Sequence, residues 1–475
     1  MPFNAISFSA LNSIFLHFSR EIFNFAKRNY QTIMKKLFLL LAAVGTIFTA
    51  CGPVDNGGEN INDNGNNDNP TEQPGEDNNN EDGGENPGTQ IPDNEIWYTT
   101  ADDNIVELSK IGREGDVYLT LSDIEVFGAN IISHTYENGK GIIKCDGDIF
   151  RIRGAFLDCT TLINITIPNK VTLIGEFAFT NCVNLTNITL PNGVTSIGLA
   201  AFDLCSSLTR ITIPNSVTTI ERYAFERCYS LASVTIGSGV TKINAQAFAG
   251  CESLVEVVLP DNVLELGDLV FEGCTSLTKA TIGKGVSSIG VGLFTRCANL
   301  EAIYGKYASE DNRCLIVDGV LKAGAVIGTS NYVIPDGVTA IDGQVFQDYS
   351  TLMNITLPNS LTSIGDRAFY GCYALKEITI PANVTYIGTS AFVDCCSLKS
   401  IYCKPTTPPY VDYYNDGFVS YGNIFEHEHY DDCPNNFNHT DTVAGVIYVP
   451  AESVGKYQNA YGWSWYRDRI FSYNF

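Results

Sequence analysis

A chain of 475 residues with 53 acidic against 29 basic side chains carries a net charge of −24. That balance leaves no basic stripe for nucleic acid, which excludes the usual electrostatic footprint of a DNA- or RNA-binding protein. Hydrophobic residues make up 44% of the chain, enough for a large core, and the 15 cysteines demand an account of their own.

The chain opens with an extension, residues 1–33, that precedes a complete export signal and is read as a start codon placed too early. Met34-Lys35-Lys36 leads into LFLLLAAVGTIFTA and then Cys51. A basic start, a short apolar run and small residues before the cut are the marks of a secretory signal. The cysteine after Phe48-Thr49-Ala50 resembles a bacterial lipobox, which implies that Cys51 is acylated and anchors the mature protein; a plain secretory signal with an incidental cysteine is the alternative. Residues 1–50 are therefore expected to be removed. No other segment is long and apolar enough to span a membrane.

Residues 51–92 hold Asn, Gly, Asp, Glu and Pro without a single Lys or Arg. So few apolar side chains cannot offset the entropy of ordering, and a disordered acidic tether is expected. Its r.m.s. reach is roughly 35 Å. Residues 93–148 read as an N-terminal β cap, with strands at Ile96–Tyr98, Asn130–Tyr136 and Ile142–Cys145.

From 149 to 403 a 23-residue unit repeats. Phe156/Cys159, Phe179/Cys182, Phe202/Cys205, Phe225/Cys228, Phe248/Cys251, Phe271/Cys274 and Phe294/Cys297 keep step. The register returns at Phe346, with Tyr349 in the cysteine place, and at Phe369/Cys372 and Phe392/Cys395. A fixed period of this size means a solenoid of stacked coils. In residues 185–207 the positions Leu185, Ile188 and Leu190 make a short strand, Pro191-Asn192-Gly193 a turn, and Val194 with Ile197 a second apolar stretch. Ala201, Phe202 and Cys205 then close the coil. Stretch 301–345 lacks its own A-F-x-x-C and is read as two coils, the first containing a hairpin turned at Asp318-Gly319.

Nine cysteines share one place in successive coils. Their parallel Cβ directions suit disulfides poorly, so they are expected to be free, buried and apolar in role. One bridge among Cys395, Cys396, Cys403 and Cys433 is left open.

Segment 404–446 reads as an insertion between the last full coil and a C-terminal cap. Tyr410, Asp412, Tyr413, Tyr414 and Tyr421 give it the mixture of rigid tyrosine and polar neighbours found in paratopes. Against this stands a plain surface loop. His427, His429, Cys433 and His439 could in principle complete a tetrahedral zinc site, but no finger or H-E-x-x-H spacing is present, and a solvated polar loop with no metal or other cofactor is expected. A second candidate site is the outward Thr of each leading strand, including Thr189, Thr212 and Thr235; exposed strands favour Thr in any case. In the cap, 447–475, Ile447–Pro450 is expected to be the last strand, Ala451–Tyr461 a helix, and Trp463, Trp465 and Phe471 a plug for the open end.

The repeats LTRITIPNSVTTIERYAFERC (208–228) and LKEITIPANVTYIGTSAFVDC (375–395) closely resemble the BspA-like class of leucine-rich repeats. The resemblance spans about 150–475. It implies a mainly β, right-handed leucine-rich repeat solenoid of about eleven 23-residue coils with a β N-terminal cap and a C-terminal cap. It also implies a secreted or surface-anchored protein of Bacteroides-type bacteria, with attachment to host or microbial surface proteins or glycans. The resulting expectation is a monomeric, non-catalytic adhesion protein of the outer membrane, exported and held by lipid alone. A glycan-binding accessory of a carbohydrate-uptake system and a purely structural envelope protein are the alternatives.

Overall fold

The computed structural model describes residues 91–114, 117–326, 331–412 and 445–475, together with 414–415, 420–421 and 424–425. Among these the protein is a parallel β-solenoid with about 13 turns of about 23 residues and few helices. The Phe–Cys register marks fewer turns because the chain after Cys403 keeps coiling without it. Tyr410–Val411 pairs in parallel with Tyr386–Ile387. Phe392 N–H donates to Ile424 O (2.9 Å), and Phe425 stacks on Phe392 at 5.5 Å. Ile424-Phe425 thus occupies the A-F place of a further coil.

Each coil has three sides. The leading strands form the first ladder, in parallel pairs and triplets such as Glu256–Val258, Lys279–Ile282 and Ala302–Gly305. The V-T-x-I stretch forms a second ladder, which the sequence did not announce as a sheet. It has seven strands from Arg151–Ile152 to Ser288–Ile289, then six from Cys314–Val317 to Tyr410–Val411. On the third side the Phe N–H of one coil donates to the next coil, as in Phe202 to Ala224 O (2.8 Å) and Phe225 to Ala247 O (2.8 Å). This side turns through left-handed residues two before and two after each Phe. Tyr223 (φ 61) and Arg227 (φ 57) flank Phe225, and Gln246 (φ 57) and Gly250 (φ 71) flank Phe248.

The Phe side chains are fully buried and stack at 5.1–5.6 Å from Phe156 to Phe294, then again from Phe346 to Phe392. The nine repeat cysteines are free and buried, as expected. Their role is more than apolar filling. Cys182, Cys205, Cys228, Cys251, Cys274 and Cys297 each donate S–H to the Phe carbonyl of the preceding coil at 3.1–3.3 Å. Cys372 and Cys395 do the same at 3.2 Å. Where Tyr349 replaces cysteine, its hydroxyl donates to Gly324 O (2.5 Å). Cys395 and Cys403 are free, whereas Cys396 is disulfide-bonded.

The hairpin at 301–345 forms as read, Cys314–Val317 against Val320–Gly324. It interrupts all three sides. The first ladder stops at Ala302–Gly305, the second at Ser288–Ile289, and the Phe stack at Phe294. Side chains bridge the third side: Arg296 Nε to Asp348 Oδ2 (2.7 Å) and Thr295 Oγ1 to Gln344 O (3.3 Å).

At the N-terminus, Glu95–Thr100 pairs antiparallel with Leu162–Thr166 and closes the first ladder's edge. A hairpin, Ile111–Glu114 with Val117–Thr120, and a capped helix, Asp123–Phe127, cover the first coil. The C-terminal plug differs from expectation. Trp463 is buried, but Trp465 and Phe471 are about half exposed, and Tyr457 and Tyr466 fill the interior instead. Their hydroxyls find partners there: Tyr457 donates to Pro405 O (2.9 Å), and Tyr466 accepts from Ile424 N–H (3.1 Å). The helix is shorter, Val454–Asn459 after a 3-10 turn. Val446–Pro450 is not the last strand either, since Ile470–Tyr473 pairs in parallel beyond it.

Candidate functional site

Two threonine columns run along the solenoid, and their hydroxyls have different fates. On the second ladder each Thr hydroxyl donates to the Thr carbonyl one coil back: Thr195 to Thr172 (3.1 Å), Thr218 to Thr195 (3.3 Å), Thr241 to Thr218 (3.2 Å) and Thr385 to Thr362 (3.3 Å). Those groups serve the stack. On the first ladder Thr189, Thr212 and Thr235 are exposed, and among the described residues no protein group accepts from their hydroxyls. Strand pairing alternates the side chains, so Ile188 and Ile211 point inward while these threonines point out. Thr212 lies directly beside Thr235. Val258, 55% exposed, and Tyr304, 40% exposed, interrupt the column.

The same face ends in aromatic rings. Thr379 pairs with Tyr402, Tyr402 with Tyr448, and Tyr448 with Phe471. The Tyr402 and Tyr448 rings stack at 5.1 Å, and Tyr473 leans on both at 5.2 and 5.5 Å. This cluster was missed in the sequence because its members come from three separate strands, one of them assigned to the plug.

The tyrosines of 404–446 are divided by the fold. Tyr410 is exposed on the second ladder and stacks on Tyr386 at 6.3 Å. Asp412 accepts from the Tyr386 hydroxyl (2.6 Å). Burial raises that hydroxyl's pKa, and the carboxylate bond adds to the rise. Tyr414 pairs with Tyr421 across a short antiparallel hairpin. Tyr413, His427, His429, Cys433 and His439 lie outside the described residues, as does Cys51.

Among the described residues no group of three His, Cys, Asp or Glu is placed to hold a metal. The one histidine there, His134, is hydrogen-bonded to Tyr98 Oη at 2.7 Å within the N-terminal cap. Burial lowers its pKa. The thiols are the opposite of nucleophiles: burial pushes Cys159 and Cys314 up to about 12, and raises Cys182, Cys205 and Cys228 well above the usual thiol value. A thiol held protonated in this way is inert. No helix among the described residues is long and apolar enough to cross a membrane.

Solved structures of leucine-rich repeat proteins resemble this chain. One from Eubacterium ventriosum is 28% identical, covering 54% of this chain and 71% of its own, with a TM-score of 0.44. A leucine-rich cell surface protein from Faecalibacterium prausnitzii is 24% identical, covering 63% and 90%, with a TM-score of 0.37. One from Bacteroides ovatus is 22% identical, covering 78% and 100%, with a TM-score of 0.37. No curated protein matches the chain. The BspA type leucine rich repeat region matches in six copies, over residues 152–252, 218–310 and 327–420. Those segments are the coils whose Phe stack, cysteine ladder and paired strands are described above, and they make up more than half of the sequence: the chain belongs to the BspA-type leucine-rich repeat family.

Proposed function

We propose that this protein is a non-catalytic binding protein of the bacterial surface. It is exported, held to the outer membrane by a lipid on Cys51, and set off from it by the tether at 52–92. It engages a host or microbial surface macromolecule. The observation that carries this reading is the contrast between the two threonine columns. One is consumed by coil-to-coil hydrogen bonds; the other is exposed, unengaged by protein, and continues into the Tyr402–Tyr448 rings. A rigid stack with an unengaged polar face and an aromatic end suits recognition, since aromatic anchors dominate binding energy. The hairpin that pairs Tyr414 with Tyr421 adds a second, irregular element at the same end of the chain. Loops on a rigid scaffold are where recognition concentrates.

The test is capture from host mucus, serum and bacterial surface extracts by the full chain. Its variants are Thr212→Lys/Thr235→Lys on the outward face and Tyr413→Ala/Tyr414→Ala in segment 404–446. Retained ligand that either pair abolishes supports the reading and says which element binds. Failure to retain any ligand would favour a structural role in the envelope.

A further inference from the structure

We infer that the outward face of the last sheet binds an anionic polysaccharide. This rests on the surface-binding reading above and names a ligand class for one part of that face.

The sheet consists of Glu377–Ile380, Ser400–Cys403, Val446–Pro450 and Ile470–Tyr473. Lys399 and Lys404 stand at the two ends of its second strand, with Tyr402 between them. Lys399 N–H donates to Lys376 O (2.8 Å), which sets Lys376 on the adjoining coil. All three lysines are exposed. Elsewhere Lys110, Lys144, Lys170, Lys242, Lys284 and Lys322 each form an ion pair, Lys140 lies over the Trp97 ring, Lys306 and Lys456 donate to the carbonyls of Val286 and Thr406, and Lys279 has no ion pair among the described residues. Lys376, Lys399 and Lys404 form no ion pair among the described residues. The acid on the same face is Glu377, whose strand partner is Ser400.

Three lysines with no ion pair among the described residues, in a chain of net charge −24, make this face more basic than the chain as a whole. Such a patch draws anions to itself while the rest of the surface repels them. Tyr402 lies between Lys399 and Lys404 along its strand, and the Tyr448 and Tyr473 rings lean on it from the next two strands, with Phe471 51% and Tyr473 43% exposed. Tyrosine offers an apolar body and a polar tip. A sugar ring is amphipathic in the same way, with apolar C–H faces and hydroxyl edges. Lys399 and Lys404 stand at the two ends of the Tyr402 strand, a spacing that suits a linear, repetitively charged chain laid along that strand. Sulfate and carboxylate serve the lysines alike, so the inference covers both.

The experiment measures affinity of the full chain for heparin, polygalacturonate, neutral dextran and polyglutamate, at low salt and at about 0.3 M salt, where screening is strong. Heparin or polygalacturonate should bind, more weakly at high salt; which of the two binds tells sulfate from carboxylate. Lys399→Glu/Lys404→Glu should weaken binding about tenfold or more, and Tyr402→Ala/Tyr448→Ala comparably, as loss of a hot spot does. Lys284→Glu, on an exposed lysine remote in sequence from the sheet, should leave it unchanged. Circular dichroism confirms that each variant is folded. The inference is overturned if neither polysaccharide binds, if polyglutamate or dextran binds as well, or if the charge-reversed variant binds like wild type. Should surface extracts still yield a ligand when both polysaccharides fail, only the ligand class is lost. Failure of both assays removes the binding reading as well.

Discussion

Replacing Cys251 tests whether the cysteine ladder is held for its size or for its proton. Cys251 is fully buried, and its Sγ donates to Phe225 O at 3.3 Å. The same carbonyl accepts a long bond from Cys228 N–H (3.4 Å), so the thiol is its second donor. Cys251→Ala removes one buried heavy atom, worth about 1 kcal/mol of transfer energy. A small residual cavity adds up to about 0.5 kcal/mol. The lost S–H bond adds about 0.5 kcal/mol, since the thiol is a weak donor. The sum is about 2 kcal/mol, read as a lower urea midpoint. Cys251→Ser separates the causes. If the thiol is an apolar filler, a buried hydroxyl is worse than a methyl, and Ser falls below Ala. If the coil needs a donor here, the Ser hydroxyl serves Phe225 O and recovers about 1 kcal/mol relative to Ala. A serine variant less stable than the alanine variant would refute the donor role.

Phe248→Ala, in a stack with neighbours at 5.2 and 5.6 Å, should cost about 3–5 kcal/mol; a melting point within a degree or two of wild type would contradict the stack. Burial raises the Asp203 pKa to about 7 although Arg227 Nη2 lies 3.2 Å from it, and its Oδ1 finds no partner. The folded state therefore holds this proton more tightly than the unfolded chain. The stability it contributes is present below the unfolded pKa and is lost as pH rises through about 7, a change of at most about 4 kcal/mol. Asp203→Asn should flatten urea midpoints between pH 4 and 7, and an unchanged slope would count against the assignment. Arg296 joins Glu272 (3.3 Å) to Asp348 (2.7 Å) across the interrupted third side, so Arg296→Ala should split urea unfolding into two transitions, and one undisturbed transition would mean that the bridge is idle. Cys51→Ala should release the protein from membranes or block its processing; a processed variant still in the membrane fraction would disprove the anchor.

The solenoid was legible because its period is carried by the largest buried side chain. Phe at every 23rd position can stack only if coils stack. The second ladder was not legible as a sheet, because strands of two residues, such as Ser196–Ile197, show no alternation. The cysteines were recognised as buried and free, but the direction of an S–H bond leaves no trace in residue order. After Cys403 the period is lost because residues 412–423 separate Val411 from Ile424-Phe425, while the coil itself continues. At the C-terminus an aromatic count could not say which rings face inward: Trp463 does, and Trp465 and Phe471 do not. The outward Thr column was legible from strand alternation. The lysines beside Tyr402 were not, because they flank a strand that breaks the Thr pattern.

The hairpin at 314–324 explains how one chain carries two stacks. Its side chains are buried on both faces: Leu315 and Ala323 join the core that begins at Ile96, while Cys314 and Leu321 join the core that ends at Ile470. Packed between two cores, the base of this hairpin leaves Cys314, Leu315 and Leu321 fully buried in a segment without the repeat motif, while Ile316, Val317, Val320 and the Asp318-Gly319 turn keep some contact with solvent. The hairpin also relieves the second stack of matching the first. Gly324 illustrates the fit, since a Cβ there would lie 2.3 Å from the Phe346 ring that starts the second stack. With its register set afresh by the hairpin, the second stack departs from the consensus at separate places. Tyr349 stands for cysteine, Tyr402 for threonine, and Ile424 for alanine. Near-identical coils offer near-identical surfaces and cannot discriminate between ligands, so discrimination must come from the departures. Tyr402 and Ile424 are such departures, and they lie between Lys376 and Tyr473, where exposed rings and lysines with no ion pair among the described residues also stand.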